Sequence, residues 1–109
     1  MSAESTISVS TPVVTLINVF TVEPARQQEL VALLVAATEE LIQHQPGFIS
    51  ANIHTSADGQ RVVNYAQWES EQAFRAMLAN PQAREHLEAM ARLAHAEPRL
   101  YAVASVHHL

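Results

Sequence analysis

The stretch Arg61–Leu78, RVVNYAQWESEQAFRAML, changes period part-way along, and that change constrains what can surround it. As far as Trp68 it alternates as a strand does; beyond, its apolar residues take the spacing of an amphipathic helix. A period of two puts Val62, Asn64, Ala66 and Trp68 on one face of the strand. An amide and an indole N–H beside Val and Ala read as the lining of a pocket that hydrogen-bonds its contents. The plain alternative is a tryptophan core anchor and an asparagine satisfied by nearby backbone, since buried polar groups are normally paired.

The rest of the chain organises around this segment. Asp58-Gly59 is a strong hairpin signal joining a strand from Phe48 to Ser56 to one from Gln60 to Trp68. Upstream, a first strand spans about Val13 to Val22. Both of its faces are largely apolar, as expected of a strand covered on two sides. Pro24 opens a helix whose stripe is Leu30, Leu33, Leu34, Ala37 and Leu41, and Pro46-Gly47 stops it. Ser70 is an N-cap for a short helix turning Ala73, Phe74, Met77 and Leu78 inward. Asn80-Pro81 caps a second, with Ala83, Leu87, Met90 and Ala94 on one side. Pro98 ends the helical region, and Arg99 to His107 alternates as a last strand. The order β–α–β, β–α–β gives a ferredoxin-like α+β fold: a four-stranded antiparallel sheet with helices on one face. The uncovered face carries too much apolar surface to stay wet, with Ile49, Ala51, Ile53 and Thr55, or Val63 and Tyr65, as candidates. A homodimer formed by sheet-to-sheet packing follows, the last strand or the residues after it reaching onto the partner.

The chain has 109 residues, enough for one domain over residues 13–109, preceded by a Ser- and Thr-rich arm over residues 1–12. It has no cysteine, which excludes disulfides, thiolate nucleophiles and Cys-based zinc sites. Six arginines, no lysine and a net charge of −5 argue against nucleic acid or an anionic membrane as partner. No apolar run approaches the ~20 residues that span a bilayer. The opening residues lack the basic and apolar regions of a signal peptide, which points to the cytoplasm. The histidines, His44, His54, His86, His95, His107 and His108, form no HxH or HxxxH pair, so metal binding has little support.

VVNYAQWESEQAF, with the PGF turn at Pro46–Phe48 and HTSADG at His54–Gly59, resembles the antibiotic biosynthesis monooxygenase (ABM) family. The likeness runs from about Val13 to His107. It is strongest to the cofactor-independent members that oxidise polyketide anthrones to anthraquinones. The resemblance implies a dimeric α+β barrel, with a pocket between sheet and helices in each subunit. It also implies a small aromatic substrate, O2 as co-substrate, and no metal or flavin. In the anthrone-oxidising members a second-strand histidine and a third-strand asparagine and tryptophan line the pocket; these match His54, Asn64 and Trp68. A tyrosine of the following helix matches Phe74 here, so a hydroxyl is missing from this chain.

The chemistry so implied begins with a deprotonated phenol or anthrone that passes an electron to O2. Recombination gives a hydroperoxide, which loses water to leave a quinone. The protein's part is a dry pocket, donors for the developing oxyanion, and a base. Asn64 and Trp68 are the donors, and His54 is suited to general-base work near neutrality. His86 is either a second base or a solvent-facing helix residue, and Arg84 either steers a phenolate or lies on the surface. Phe74, Met77 and Leu87 wall the pocket, with Asn18 on the first strand.

Two rival functions share the scaffold. Asn18 and His86 also resemble the asparagine and axial histidine of ABM-type haem-degrading enzymes. The pocket tryptophan of those enzymes falls near Met77, where this chain has none. A small-molecule isomerase or a ligand-binding dimer is the non-redox alternative.

Overall fold

A computed structural model describes residues 3–9 and 13–109. Four strands and three helices follow one another as β1 (Val14–Val22), α1 (Gln27–Glu40), β2 (Phe48–Thr55), β3 (Arg61–Trp68), α2 (Glu71–Ala79), α3 (Pro81–Ala91) and β4 (Ala94–Tyr101). All pairings are antiparallel, in the spatial order β2-β3-β1-β4. This is the expected ferredoxin-like α+β arrangement.

Local chemistry sets the boundaries. Pro24 begins a short 3-10 turn that leads into α1. Gly47 and Gly59 both take positive φ, +86° and +78°, a region closed to most side chains. Ser70 Oγ accepts the Ala73 N–H, and Asn80 Oδ1 accepts those of Gln82 and Ala83, capping α2 and α3 in turn. Each such cap contributes about 1 kcal/mol. Gln27, buried at the start of α1, donates to the carbonyls of Ser56 and Arg61 and ties the β2–β3 hairpin to the helix.

The register assigns every sheet residue to a face. Leu16, Asn18 and Phe20 of β1 lie opposite Ala66, Asn64 and Val62 of β3, and this face is covered by the helices. The core there has two parts. One gathers Leu16, Ala66, Trp68, Phe74 and Met77; the other gathers Phe20, Val22, Leu30, Leu34, Val62 and Met90. Asn18 and Asn64 fall at the seam between them, where each strand would otherwise carry a third apolar residue.

On the other face Ile17, Val19, Val63 and Tyr65 are half-buried, so β1 does present apolar side chains to both sides. Ala51 and Ile53 belong to the helix-covered face, and Ile49 is 42% exposed beside a bulge. Of the arm expected over residues 1–12, residues 3–9 carry no helix or strand, and Ser5 Oγ donates to Asn52 Oδ1 at 3.1 Å. Residues 1, 2 and 10–12 lie outside the described residues.

The last strand differs from its expected limits. It runs from Ala94 to Tyr101 rather than from Arg99 to His107, and Pro98 sits inside it opposite Asn18. Nor does Pro98 end the helical region, since α3 stops at Ala91 and Ala94 is already sheet. β4 is an outer strand with one row of N–H groups unclaimed by the sheet, and a proline that lacks its N–H is accommodated there. The spacing of Leu87, Met90 and Ala94 imitates a helix stripe across that boundary.

Candidate active site

A cavity of about 630 Å³ lies between the helix-covered sheet face and the helices. Its volume falls within the range of small-molecule sites, ~300–1,000 Å³. The sheet contributes Leu16, Asn18 and Phe20 from β1, Phe48 and Ala51 from β2, and Asn64, Ala66 and Trp68 from β3. Leu34 and Thr38 of α1, Phe74, Met77 and Leu78 of α2, and Leu87 and Met90 of α3 close the opposite side.

The asparagine pair is the polar centre of this apolar chamber. Asn18 and Asn64 are direct cross-strand partners, so their side chains rise together from adjacent strands. Both Oδ1 atoms are buried, and neither has a hydrogen-bond partner among the described residues. Buried polar atoms left in this condition are costly and call for an explanation. A bound molecule carrying hydroxyl or carbonyl groups supplies one, because each amide offers both an acceptor and donors.

Trp68, 1% exposed, forms the aromatic end of the chamber. Phe48 meets it edge-on at 5.5 Å between ring centroids, and Phe74 at 6.1 Å. The Phe48 contact depends on the bulge in β2. Ser50 pairs with Gln67, and regular pairing would bring Ile49 opposite Trp68; the shift brings Phe48 there instead. Thr38, though in the lining, spends its hydroxyl on the Leu34 carbonyl at 2.7 Å.

The structure thus brings together Asn18, Asn64, Trp68, Phe74, Met77 and Leu87. It does not bring His54 or His86 to them. His54 pairs with Val63, one residue out of phase with Asn64, and points from the opposite sheet face. It is exposed, and its Nδ1 lies 3.2 Å from the Asn52 carbonyl. The expected base is therefore separated from the cavity by the sheet itself. His86 is half-buried on α3 but lies outside the lining, so the axial ligand of the haem reading does not face the cavity. Arg84 is exposed and outside it as well. Conversely, Arg75, His95 and Arg99 border the cavity without having been singled out. Among the described residues no group of three or more His, Cys, Asp or Glu could hold a metal ion. No helix among them is long and apolar enough to cross a membrane.

This geometry has a counterpart in known proteins. Residues 13–89 match the antibiotic biosynthesis monooxygenase family, a span that runs from the start of β1 into α3 and includes Asn18, Asn64 and Trp68. The chain belongs to that family. It is 55% identical over 84 residues to tetracenomycin-F1 monooxygenase of Streptomyces glaucescens, a span covering 77% of this chain and 75% of that protein. Among solved structures it is similar to a monooxygenase from the gene ActVA-Orf6 of Streptomyces coelicolor in complex with nanaomycin D. That likeness has TM-score 0.83 and 36% identity, over 94% of this chain and 99% of the other. It is also similar to SnoaB, a cofactor-independent oxygenase from Streptomyces nogalater, with TM-score 0.72 and 30% identity over 88% and 97% of the two chains. The chain is accordingly a monooxygenase, acting on a small molecule with O2.

Proposed function

We propose that this ABM monooxygenase oxidises a phenolic or anthrone-type polycyclic aromatic to a quinone, using O2 and neither metal nor flavin. The observation that carries the reading is the pair of opposed amides, Asn18 and Asn64, at the seam of an otherwise apolar chamber. In an anthrone the ring methylene becomes a carbonyl: one O2 enters, one oxygen atom stays on the ring, and the other leaves as water with the two methylene hydrogens.

The amides and the Trp68 indole hold the oxygen substituents of the ring system, and their N–H groups stabilise negative charge as the substrate ionises. Trp68, Phe48 and Phe74 sandwich the aromatic rings and help keep water from the reactive carbanion. Two relatives support the aromatic reading: one is a tetracenomycin-F1 monooxygenase, and another was solved in complex with nanaomycin D.

Two copies pack through the sheet face that bears Ile17, Val19, Val63 and Tyr65. A half-buried apolar strip of that kind, uncovered by any helix, is the usual mark of association.

Oxygen-electrode measurements with a panel of anthrones, naphthols and quinols test the reaction. Uptake of one O2 per quinone formed, with label from isotopic O2 in the product, is the expected result. No uptake with any member, alongside saturable ligand binding, would sink the oxygenase chemistry and leave a binding protein.

A further inference from the structure

Thr38 breaks the apolar wall that α1 presents to the cavity. Leu34, one helical turn before it, and Ile42, just past the end of the helix, are in the lining with it, and both are hydrocarbon. The residue is half-buried, and its Oγ1 donates to the Leu34 carbonyl at 2.7 Å. That bond fixes the sense of the group. A hydroxyl carries one proton and two acceptor lone pairs. A carbonyl can only accept, so the proton is spent on Leu34 and what remains for the chamber is an acceptor.

The asparagine pair has no such fixed sense. Each amide offers an oxygen and an NH2, and rotation about the last side-chain bond exchanges them. Asn18 and Asn64 therefore suit a ring carbonyl, a hydroxyl or a phenolate alike. Thr38, on the helix wall across from the sheet, suits only a donor. A carbonyl or an ionised oxygen placed there sets two acceptors against each other in an apolar surround, where an unmade hydrogen bond is costly.

We propose that Thr38 selects a substrate with a free hydroxyl on the part of the ring system directed to α1, and accepts its hydrogen bond. This rests on the aromatic-substrate reading above and adds to it a second polar contact, of fixed direction. The contact also decides where the substrate ionises. An acceptor stabilises the protonated form of the hydroxyl it holds, whereas amide donors stabilise an anion. Negative charge therefore gathers on the oxygen at the asparagine pair, while the hydroxyl at Thr38 keeps its proton.

Trp68 is the chain's single tryptophan, so its fluorescence reports binding in the cavity without reference to turnover. The probes are 2-hydroxyanthraquinone and 2-methoxyanthraquinone, at a pH acid enough to keep the phenol protonated. The outer corners of the anthraquinone frame are equivalent, so a single hydroxyl can be turned to Thr38 whichever way the rings enter. Both are titrated into the wild type, Thr38→Val and Thr38→Ser. The wild type should bind the hydroxyl probe about five- to tenfold more tightly than the methyl ether, as one neutral hydrogen bond supplies. Valine keeps the shape of threonine without the acceptor, so Thr38→Val should lose that preference; Thr38→Ser should keep most of it. Were the methyl group excluded by bulk alone, valine would keep the preference and serine would lose it. That result overturns the proposal, as does equal binding of the two probes by the wild type. If neither probe quenches Trp68, the aromatic-substrate reading falls, and this one with it.

Discussion

Replacing Asn64 with leucine should stabilise the protein while destroying its activity. The amide Oδ1 is buried without a partner among the described residues, between apolar groups of two core clusters. An unsatisfied buried acceptor costs about 1–3 kcal/mol, and an apolar side chain of similar shape removes that cost. Asn64 is only half-buried as a residue, so the low end applies, about 1 kcal/mol. For a domain of this size such a gain raises the melting temperature by about 4–8 °C. Turnover should fall by about 10²–10³, the usual loss when a donor to a developing oxyanion is removed. Thermal melts of Asn64→Leu and wild type, paired with O2 uptake on the same preparations, give both numbers. A melting temperature lowered by several degrees would refute the reasoning, since it would show a satisfied structural amide. Retained turnover would refute it from the other side. Asn18→Leu should behave alike, and the double variant should be non-additive because the two side chains face each other.

Gly47→Ala should destabilise by about 2–4 kcal/mol, because φ is +86° there and the added Cβ meets the Cβ of Ala73 on α2. In an Ala73→Gly background, denaturant unfolding should return a clearly smaller cost; an unchanged cost would rule out the contact as its source. Asp58 accepts the Gln60 N–H at 2.9 Å and the Ser56 hydroxyl at 2.7 Å, with Arg61 nearby, and these hold its carboxyl below the usual range. A lowered folded-state value means stability present above the ordinary carboxylate range and lost as pH falls through the folded value. Asp58→Asn should therefore melt below wild type at neutral pH, with the gap closing in acid; a gap independent of pH would contradict this. Val63→Glu, on the helix-free sheet face, should leave the fold intact but yield monomers by light scattering, whereas an unchanged mass would place any dimer contact elsewhere.

The third strand is where the sequence was most legible, and the reason is physical. A period of two is enough to put Asn64 and Trp68 on one face, and an apolar strand that gives up two such positions to polar-tipped side chains is breaking its own pattern. Sites tend to lie where local rules are broken. The same period, carried through the Asp58-Gly59 turn, pairs Thr55 with Val62 and Ile53 with Asn64, and so puts His54 on the far face. The turn chemistry contained that answer; the likeness to other proteins pointed the other way, and the alternation prevailed. Two features had no comparable signal. The bulge that swings Phe48 onto Trp68 depends on a single-residue slip between Phe48 and Ser50, which no residue type at those positions demands. Pro98 inside β4 is tolerable only because that strand has no neighbour beyond it, a fact of sheet order rather than of local sequence. That misplaced strand start also hid Arg99, which read as the beginning of a strand and proves to stand near its end, beside the cavity. Asn18 shows how the gap closes: alone on β1 it is one polar residue in LINVFTV, and only the register that sets it against Asn64 makes the two amides a site.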